Sequence, residues 1–225
     1  MEAITLGANG FDAAIEAMRG AIGADNVLTQ QLGDHGDPFG PPGDWYRPGA
    51  VLLPGSVEEV QAILRIANER GTPIWTSSQG RNKGYGGGAP RVSGSFIVSL
   101  RRMNRVLEVD EENCMALVEP GVRFFDLYDH LRVTGSKLWM SVPDLGGGSV
   151  IGNALEHGVG YTPIGDHFGQ HCGMEVVLPN GEILRTGMGG MSNPHNWLVY
   201  PNSCRPSWVG IFTQSKFDIA TKMGV

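Results

Sequence analysis

Apolar positions in the first third of the chain recur every three or four residues in two segments, which predicts two amphipathic helices. The first segment covers residues 11–22, and the second covers residues 57–67. Ser56 and Glu59 form a capping box before the second segment, and Gly71 stands where such a helix commonly ends. We therefore expect a well-defined helix directly after Ser56.

Short apolar runs at residues 73–77 and 96–100 predict strands that follow the second helix. Residues 33–48 are rich in Gly, Pro and Asp and predict a loop. An N-terminal helix and loop, residues 1–45, are thus expected to precede a small strand–helix–strand lobe at about residues 46–104.

From residue 105 the pattern changes to short alternating or β-branched segments, which predicts a mostly antiparallel sheet. The expected strands are 106–110, 114–119, 174–178 and 182–186. Pro179-Asn180-Gly181, between the last two strands, is a strong hairpin signal. A helix is expected between the two pairs of strands, with an apolar face of Phe124, Leu127, Tyr128 and Leu131. The fold class is therefore α+β, with a larger second lobe at about residues 105–225.

A glycine run at Gly146–Gly148 is the most informative sequence for function. Glycine has no Cβ atom, so the backbone there permits close approach to a ligand. The run leads into a predicted short helix that Ser149 opens and Gly158 closes. A glycine turn before a helix N-terminus presents free N–H groups to an anion, most often a phosphate. A glycine turn with a capping serine and no ligand is the alternative.

A second glycine-rich loop, Gly80–Gly88, follows a predicted strand and reads G-R-N-K-G-Y-G-G-G. It is no dinucleotide-binding Rossmann turn, because the proline and glycine that follow it prevent the helix which that fingerprint requires. Its backbone, together with Arg81, Asn82 and Lys83, could instead surround a pyrophosphate.

The composition narrows the class of partner. The chain has 225 residues, 34 of them glycine, and a formal net charge of −6 from 17 basic and 23 acidic residues. This acidic balance disfavours nucleic acids and anionic membranes. No apolar run reaches the ~20 residues of a membrane span, so we expect a cytoplasmic protein that binds a small molecule or another protein.

Histidine and cysteine could provide metal chemistry instead. The spacing of residues 167 and 171 would place two histidines on one face of a helix, but nearby glycines disfavour a helix there. We therefore expect no metal at the candidate ligands His157, His167, His171 and Cys172. The cysteines have no C-x-x-C spacing, so we expect reduced, structural side chains at Cys114, Cys172 and Cys204.

Seven segments, in order along the chain, carry a family resemblance. They are the two glycine loops, S-V-E-E-V-Q at Ser56, R-R-M-N-R-V-L-E-V-D at Arg101, V-E-P-G-V at Val118, G-V-G-Y-T-P at Gly158 and M-E-V-V-L-P-N-G-E-I-L-R-T-G-M-G at Met174. Together they resemble the flavin-binding domain of the vanillyl-alcohol oxidase and para-cresol methylhydroxylase family, most strongly its bacterial eugenol-type oxidases of 4-alkylphenols. The resemblance runs from about residue 37 to residue 225.

The resemblance implies the two-lobed FAD-binding fold of that family, with FAD between a small parallel lobe and a larger antiparallel lobe. In the family a substrate-binding cap domain begins where this chain ends at Val225, so the cap is missing here. The chain is then either a fragment or a naturally truncated protein. The full-length protein is expected to form a homo-oligomer.

The resemblance also assigns roles to single residues. Asp144 matches the family's active-site acid beside flavin N5, and Tyr85 and Tyr161 match tyrosines that line the phenol pocket. Without the family, Asp144 would be interpreted as a turn residue and both tyrosines as amphipathic filler. The residues expected to contact FAD are Gly80, Arg81, Asn82, Lys83, Gly84, Tyr85, Gly86, Pro143, Asp144, Leu145, Gly148, Ser149, Gly152, Asn153, Gly158, Tyr161 and Ile219.

The implied activity is oxidation of a para-alkylphenol. Its phenolate would pass a hydride from the benzylic carbon to flavin N5 and become a quinone methide, and Asp144 would assist water addition or deprotonation. Oxygen or a cytochrome would reoxidise the flavin. This chain alone is expected to be inactive. The alternatives are a non-catalytic relic of a flavin domain and a related FAD oxidase of another alcohol, such as a sugar or lactate.

Some positions depart from the family pattern. Residues 203–206 read S-C-R-P where relatives carry G-F-G-P, and Asp218 replaces a glycine beside the adenine end of FAD. A carboxylate near a diphosphate is unfavourable, so we expect weakened flavin affinity. His35 resembles a histidine that assists flavin attachment in some members. The first loop has Asn82 and Lys83 where another branch has the linking histidine, so FAD is expected to bind this chain non-covalently.

Overall fold

The computed structural model describes residues 8–30, 32–35, 47–82, 87–187, 207–214 and 217–225. The chain divides into two compact units. The first unit contains Met1–Arg102 and Pro179–Gly181, and the second contains Met103–Leu178 and Glu182–Val225. Each unit has its own sheet and its own apolar core.

The second helix of the first unit, α2, forms as its capping residues predict. It spans Val57–Arg70, and Ser56 Oγ accepts a hydrogen bond from the Glu59 N–H at 3.2 Å. The Glu59 carboxylate in turn accepts from the Gly55 N–H at 2.7 Å. Gly71 ends the helix in the left-handed region, with φ of 61°. The sequence signals at both ends of α2 are confirmed.

The first sheet contains four short strands in the order β1-β2-β4-β3. Their ranges are Val27–Leu28 for β1, Ala50–Leu52 for β2, Ile74–Ser77 for β3 and Phe96–Ser99 for β4. Strands β2 and β3 both pair in parallel with β4, and β1 pairs antiparallel with β2. The expected strands β3 and β4 are confirmed, whereas β1 and β2 are too short to give a periodic signal.

The N-terminal helix, α1, spans Ala8–Ile22 and covers the first sheet. The ring of Phe11 meets the ring of Phe96 edge to face, with centroids 5.3 Å apart. All four residues of β4, which pairs with a strand on each side, are buried. The predicted apolar stripe is confirmed, because the buried residues of the helix are Ala14, Ile15, Met18 and Ile22.

The second unit is built on five antiparallel strands in the order β5-β6-β9-β7-β8. Their ranges are Val106–Asp110 for β5, Met115–Val118 for β6, Met174–Val177 for β7, Ile183–Arg185 for β8 and Ile219–Gly224 for β9. The four expected strands are all present. The central strand β9 was not expected from the sequence. It lies between β6 and β7 and so joins the β5-β6 pair to the β7-β8 hairpin.

The described residues of the second unit form three helices. They are α3 at Phe124–Thr134, α4 at Val150–Leu155 and α5 at His167–Gln170. The expectation that glycines would prevent a helix at residue 167 is wrong for one turn, because the Asp166 side chain accepts from the Gly169 N–H at 3.0 Å and caps α5. Tyr128 was expected on the buried face of α3, but it is 56% exposed.

The apolar core of the second unit lies between the sheet and the helices α3 and α4. It contains Ala116, Val118, Val122, Phe124, Leu127, Leu131, Val150, Ile151, Ala154, Met174, Val176, Phe212, Ala220 and Met223. One carboxylate, Glu175 on β7, is also buried, and Lys222 and Arg185 contact it at 2.8 and 2.9 Å. Desolvation raises the pKa of Glu175, but the bonds from Lys222 and Arg185 outweigh it and hold the pKa below its ordinary value.

The part of the chain that the structure describes also contains 3-10 turns at Ala24–Asn26, Leu32–His35, Leu100–Arg102 and Val209–Phe212. Within the described ranges, no helix is long and apolar enough to cross a membrane. Cys114 and Cys172 form no disulfide among these residues. Cys114 is exposed in a left-handed turn, so the expectation of a structural residue was wrong there, and Cys204 lies outside the described residues.

Candidate functional site

The first glycine loop closes on itself at its two ends. Gly80 has a positive φ of 63°, and a Cβ on it would lie 3.7 Å from the Cα of Gly88. The Gly87 N–H donates to the Asn82 carbonyl at 3.0 Å. The positive φ therefore favours glycine at position 80, whereas a Cβ on Gly88 would make only ordinary contacts, at 3.5 Å or more. The predicted cofactor contacts Lys83, Gly84, Tyr85 and Gly86 lie outside the described residues.

The described part of this loop leaves one cation at the surface. Arg81 and Asn82 are exposed, and the Arg81 guanidinium bonds to no residue in the described part of the chain. Arg101 instead supports the loop, because its Nη2 donates to the Gln79 carbonyl at 2.9 Å. His35 is buried beside the loop, where its carbonyl oxygen would lie 3.6 Å from a Cβ on Gly88.

The three glycines of the second loop differ in what surrounds them. A Cβ on Gly146 would collide with the ring of Phe125, and a Cβ on Gly148 would lie 3.2 Å from the Leu145 carbonyl oxygen. A Cβ on Gly147 would meet nothing within 4 Å. The described chain thus requires glycine at 146 but not at 147. Open space at Gly147 fits a ligand that approaches the backbone closely, as a flavin or its diphosphate would.

The hydrogen bonds around α4 correct the expected anion site. The Val150 N–H donates to the Val122 carbonyl at 3.0 Å, and the Gly152 N–H donates to Ser149 Oγ at 2.9 Å. The expectation of free N–H groups at this helix start is therefore wrong for those two positions, because Val122 accepts the first bond and the capping side chain of Ser149 accepts the second. The N–H groups of Gly146 and Gly147 in the loop, and that of Ile151 in the first turn of α4, contact no acceptor among the described residues.

The end of α4 also differs from the expectation. Helix α4 stops at Leu155, and His157 rather than Gly158 adopts the left-handed conformation, with φ of 53°. Gly158 is required for a different reason. Its N–H donates to the Asn153 carbonyl at 2.8 Å, and a Cβ on Gly158 would collide with the Asn153 side chain.

Two of the predicted catalytic residues meet at the surface of the second unit. The charge of Asp144 and its hydrogen bond with the Tyr161 hydroxyl raise the pKa of the Tyr161 phenol above its ordinary value. Asp144 is exposed, and Tyr161 is 78% exposed. Next to Asp144, Pro143 is half-buried and Leu145 is 44% exposed. The pair therefore presents an acid and a phenol to whatever binds over the second glycine loop.

Sequence reasoning missed a side-chain network behind this pair. The His167 ring contacts Asn153 Oδ1 through Nδ1 and Ser141 Oγ, at 3.0 Å, through Nε2. Thr162 Oγ1 donates to the same Ser141 oxygen at 3.0 Å. The sequence pattern indicated His167 only as a candidate metal ligand, through its spacing from His171. Its position soon after G-V-G-Y-T-P was the available signal.

The candidate metal ligands have other contacts. Within the described ranges, no three His, Cys, Asp or Glu side chains are placed to hold a metal ion. His157 and His171 both pack against the ring of Phe168, at centroid distances of 4.6 and 4.5 Å. Desolvation raises the pKa of the Cys172 thiol, which disfavours a thiolate ligand.

The last predicted cofactor contact, Ile219, begins β9 and is only 1% exposed, so almost none of its surface is open to a ligand. Asp218 precedes it and is half-buried. The departure at residues 203–206 lies outside the described residues.

Residues 48–187 of this chain match a protein family described as an FAD binding domain. The 4-cresol dehydrogenase (hydroxylating) flavoprotein subunit of Pseudomonas putida is 42% identical over 219 residues, which are 95% of this chain and 42% of that protein. The 1'-carboxy-chondrochloren decarboxylase of Chondromyces crocatus is 36% identical over 96% of this chain and 40% of its own length.

Solved structures agree in fold. The 4-ethylphenol oxidase from Gulosibacter chungangensis, in its isoeugenol complex, matches 100% of this chain and 44% of its own, with 45% identity and a TM-score of 0.96. This chain spans less than half the length of these relatives. The family expected from the sequence motifs, its two-lobed α+β fold and its cofactor are confirmed. The chain belongs to the FAD-binding domain family, as a domain of the para-cresol methylhydroxylase type found in flavin-dependent oxidoreductases.

Proposed function

We propose that this chain is the FAD-binding part of an oxidoreductase that removes a hydride from the benzylic carbon of a para-alkylphenol. The names of two similar proteins support this substrate class, since one is a dehydrogenase of 4-cresol and the other an oxidase of 4-ethylphenol. In the full-length protein, oxygen or a cytochrome would reoxidise the flavin. The full-length protein would also form a homo-oligomer.

The observation that carries the proposal is the contact between Asp144 and Tyr161 beside the open face of Gly147. The phenol of Tyr161 is protonated at neutral pH and is a hydrogen-bond donor, and Asp144 raises its pKa further above the ordinary value of 10.0. A phenolate oxygen is a strong acceptor for such a donor. Exposed apolar side chains along the same two segments provide a surface for an aromatic ring: Val142, Leu145, Val159 and Ile164.

Substrate binding would separate the pair, with Tyr161 donating to the phenolate oxygen and Asp144 lying toward the benzylic end. Bound FAD supplies the acceptor for the hydride. The substrate that has lost its hydride is a quinone methide, to which water adds at the benzylic carbon. Asp144 accepts the proton of that water, so that the alcohol forms as its phenolate.

The test is a chimera in which residues 1–225 are joined to the C-terminal part of 4-ethylphenol oxidase. With FAD bound and oxygen removed, 4-ethylphenol should bleach the flavin absorption and D-lactate should not. The matched control is 4-ethylanisole, which has the same ring and ethyl group but no ionisable hydroxyl. Bleaching by lactate, equal bleaching by 4-ethylanisole, or a flavin-loaded chimera that no phenol reduces would contradict the proposal.

A further inference from the structure

A line of side-chain hydrogen bonds connects three segments of the second unit. His167 Nε2 lies 3.0 Å from Ser141 Oγ, and Thr162 Oγ1 lies 3.0 Å from the same oxygen. On its other side, His167 Nδ1 contacts Asn153 Oδ1. Ser141 stands three residues before Asp144, Thr162 directly follows Tyr161, and Asn153 lies on α4.

The direction of these bonds follows from the partners. An amide oxygen only accepts, so His167 Nδ1 carries the proton that it shares with Asn153. Nε2 of a neutral imidazole is then an acceptor, and it receives the Ser141 hydroxyl proton. Desolvation lowers the pKa of His167, although the charge of Asp166 opposes this, so the neutral ring that the bonding requires is favoured.

The backbone that carries Tyr161 lies directly against this network. A Cβ on Gly160 would collide with Ser141 Oγ and lie 2.6 Å from His167 Nε2. The same Cβ would lie 3.2 Å from the Val142 carbonyl oxygen, so residues 141–142 run beside Gly160. The glycines in G-V-G-Y therefore permit close packing of the loop onto the His167 network, whereas the glycine at position 147 faces open space.

We propose that His167 is a positioning residue that holds the segments carrying Asp144 and Tyr161 in place, so that the two side chains are in contact in the free protein and are both held at the site when substrate lies between them. It does so by fixing Ser141, to which Thr162 also bonds, so that the segments before Asp144 and after Tyr161 are joined through one oxygen atom. Its effect on turnover rests on the proposed function, but its effect on the Asp144–Tyr161 contact does not.

The first test uses the chain itself and needs no cofactor. Tyrosine labelled with ¹³C at Cζ reports the ionisation of each phenol by NMR, and Tyr161→Phe identifies the Tyr161 signal. In the unsubstituted chain Tyr161 should titrate above the ordinary value of 10.0. In His167→Ala it should titrate lower, closer to that value, because Asp144 moves away.

Two amide variants separate positioning from simple packing. In His167→Gln the longer side chain can place its amide oxygen near the former Nε2 position and accept from Ser141, so the high Tyr161 titration should return. In His167→Asn the shorter amide replaces only Nδ1 and its bond to Asn153, so the variant should behave like His167→Ala. His130→Ala, on α3, is the control and should leave the Tyr161 titration unchanged.

The second test is turnover in the flavin-loaded chimera described above. His167→Ala should lower kcat about 10- to 100-fold, the scale of a misplaced catalytic group, with FAD occupancy retained and with recovery in His167→Gln. If His167→Ala fails to fold, Ser141→Ala removes the same bond and should give the same shift. A folded His167→Ala whose Tyr161 titrates as in the parent chain, or no recovery in His167→Gln, overturns the inference.

Discussion

Replacement of Gly147 by valine should separate FAD binding from folding. A Cβ at this position meets no atom of the described chain within 4 Å, and no positive φ restricts the backbone there. The cost to the free energy of unfolding should therefore stay within about 0.5 kcal/mol, as for ordinary surface substitutions. The same side chain would occupy the space in front of the N–H groups of Gly146 and Gly147.

The expected loss of affinity follows from those donors. A hydrogen bond to a charged group contributes about 1.5–3 kcal/mol, and each 1.4 kcal/mol corresponds to a tenfold change in Kd. Loss of one such bond to a bound diphosphate or flavin should thus raise the Kd for FAD roughly 10- to 150-fold. Loss of both bonds would raise it further.

The assay is a titration of FAD by flavin fluorescence, with chemical unfolding of the FAD-free chain measured in parallel. Gly210→Val is a matched control, since Gly210 also has open space at its Cβ position but lies in the 3-10 turn Val209–Phe212. Gly146→Val should instead destabilise the chain, because its side chain collides with Phe125. A stable Gly147→Val variant with unchanged FAD affinity would refute the assignment of this loop to the cofactor.

Two further predictions concern stability. Gly160→Ala should lower the free energy of unfolding by about 1–3 kcal/mol, because its methyl group overlaps Ser141 and His167, and a denaturant titration measures this. Stability should also decrease as the pH falls below about 6.5, since the pKa values of His167 and His171 are lowered chiefly by desolvation. The unfolded chain then binds more protons than the folded one, so stability is complete above the unfolded pKa and is lost as the pH falls through the folded pKa. Replacing both histidines with glutamine should make the free energy of unfolding depend less on pH. An unchanged slope of that free energy against pH would contradict its assignment to these two histidines.

The sequence predicted those elements whose signals are local. The capping box at Ser56, the stop at Gly71 and the Asn180-Gly181 turn each act over a few residues, and their consequences appear in the structure as α2 and the β7-β8 hairpin. Strand β9 carries no comparable signal. Its place at the centre of the sheet depends on pairing with β6 and β7, more than forty residues away in the chain.

The candidate site shows the same limit. The resemblance pointed to Asp144 and Tyr161, and the structure brings the two together. The sequence could not show that Val122 and Ser149 accept hydrogen bonds from the N–H groups at the start of α4, because the contact with Val122 depends on the tertiary fold. His167 was missed for a related reason: its partners, Ser141 and Asn153, are 26 and 14 residues away in the sequence.

The measurement that tests the central claim most directly is steady-state turnover of 4-ethylphenol by the chimera after replacement of Asp144 by alanine. With FAD occupancy matched to the parent, turnover of 4-ethylphenol should fall by roughly 10²-fold or more, the usual scale for loss of a positioned acid or base. Tyr161→Phe should instead weaken substrate binding while the flavin stays bound. Undiminished turnover in the Asp144→Ala chimera would show that this carboxylate does not take part in the chemistry and would contradict the account.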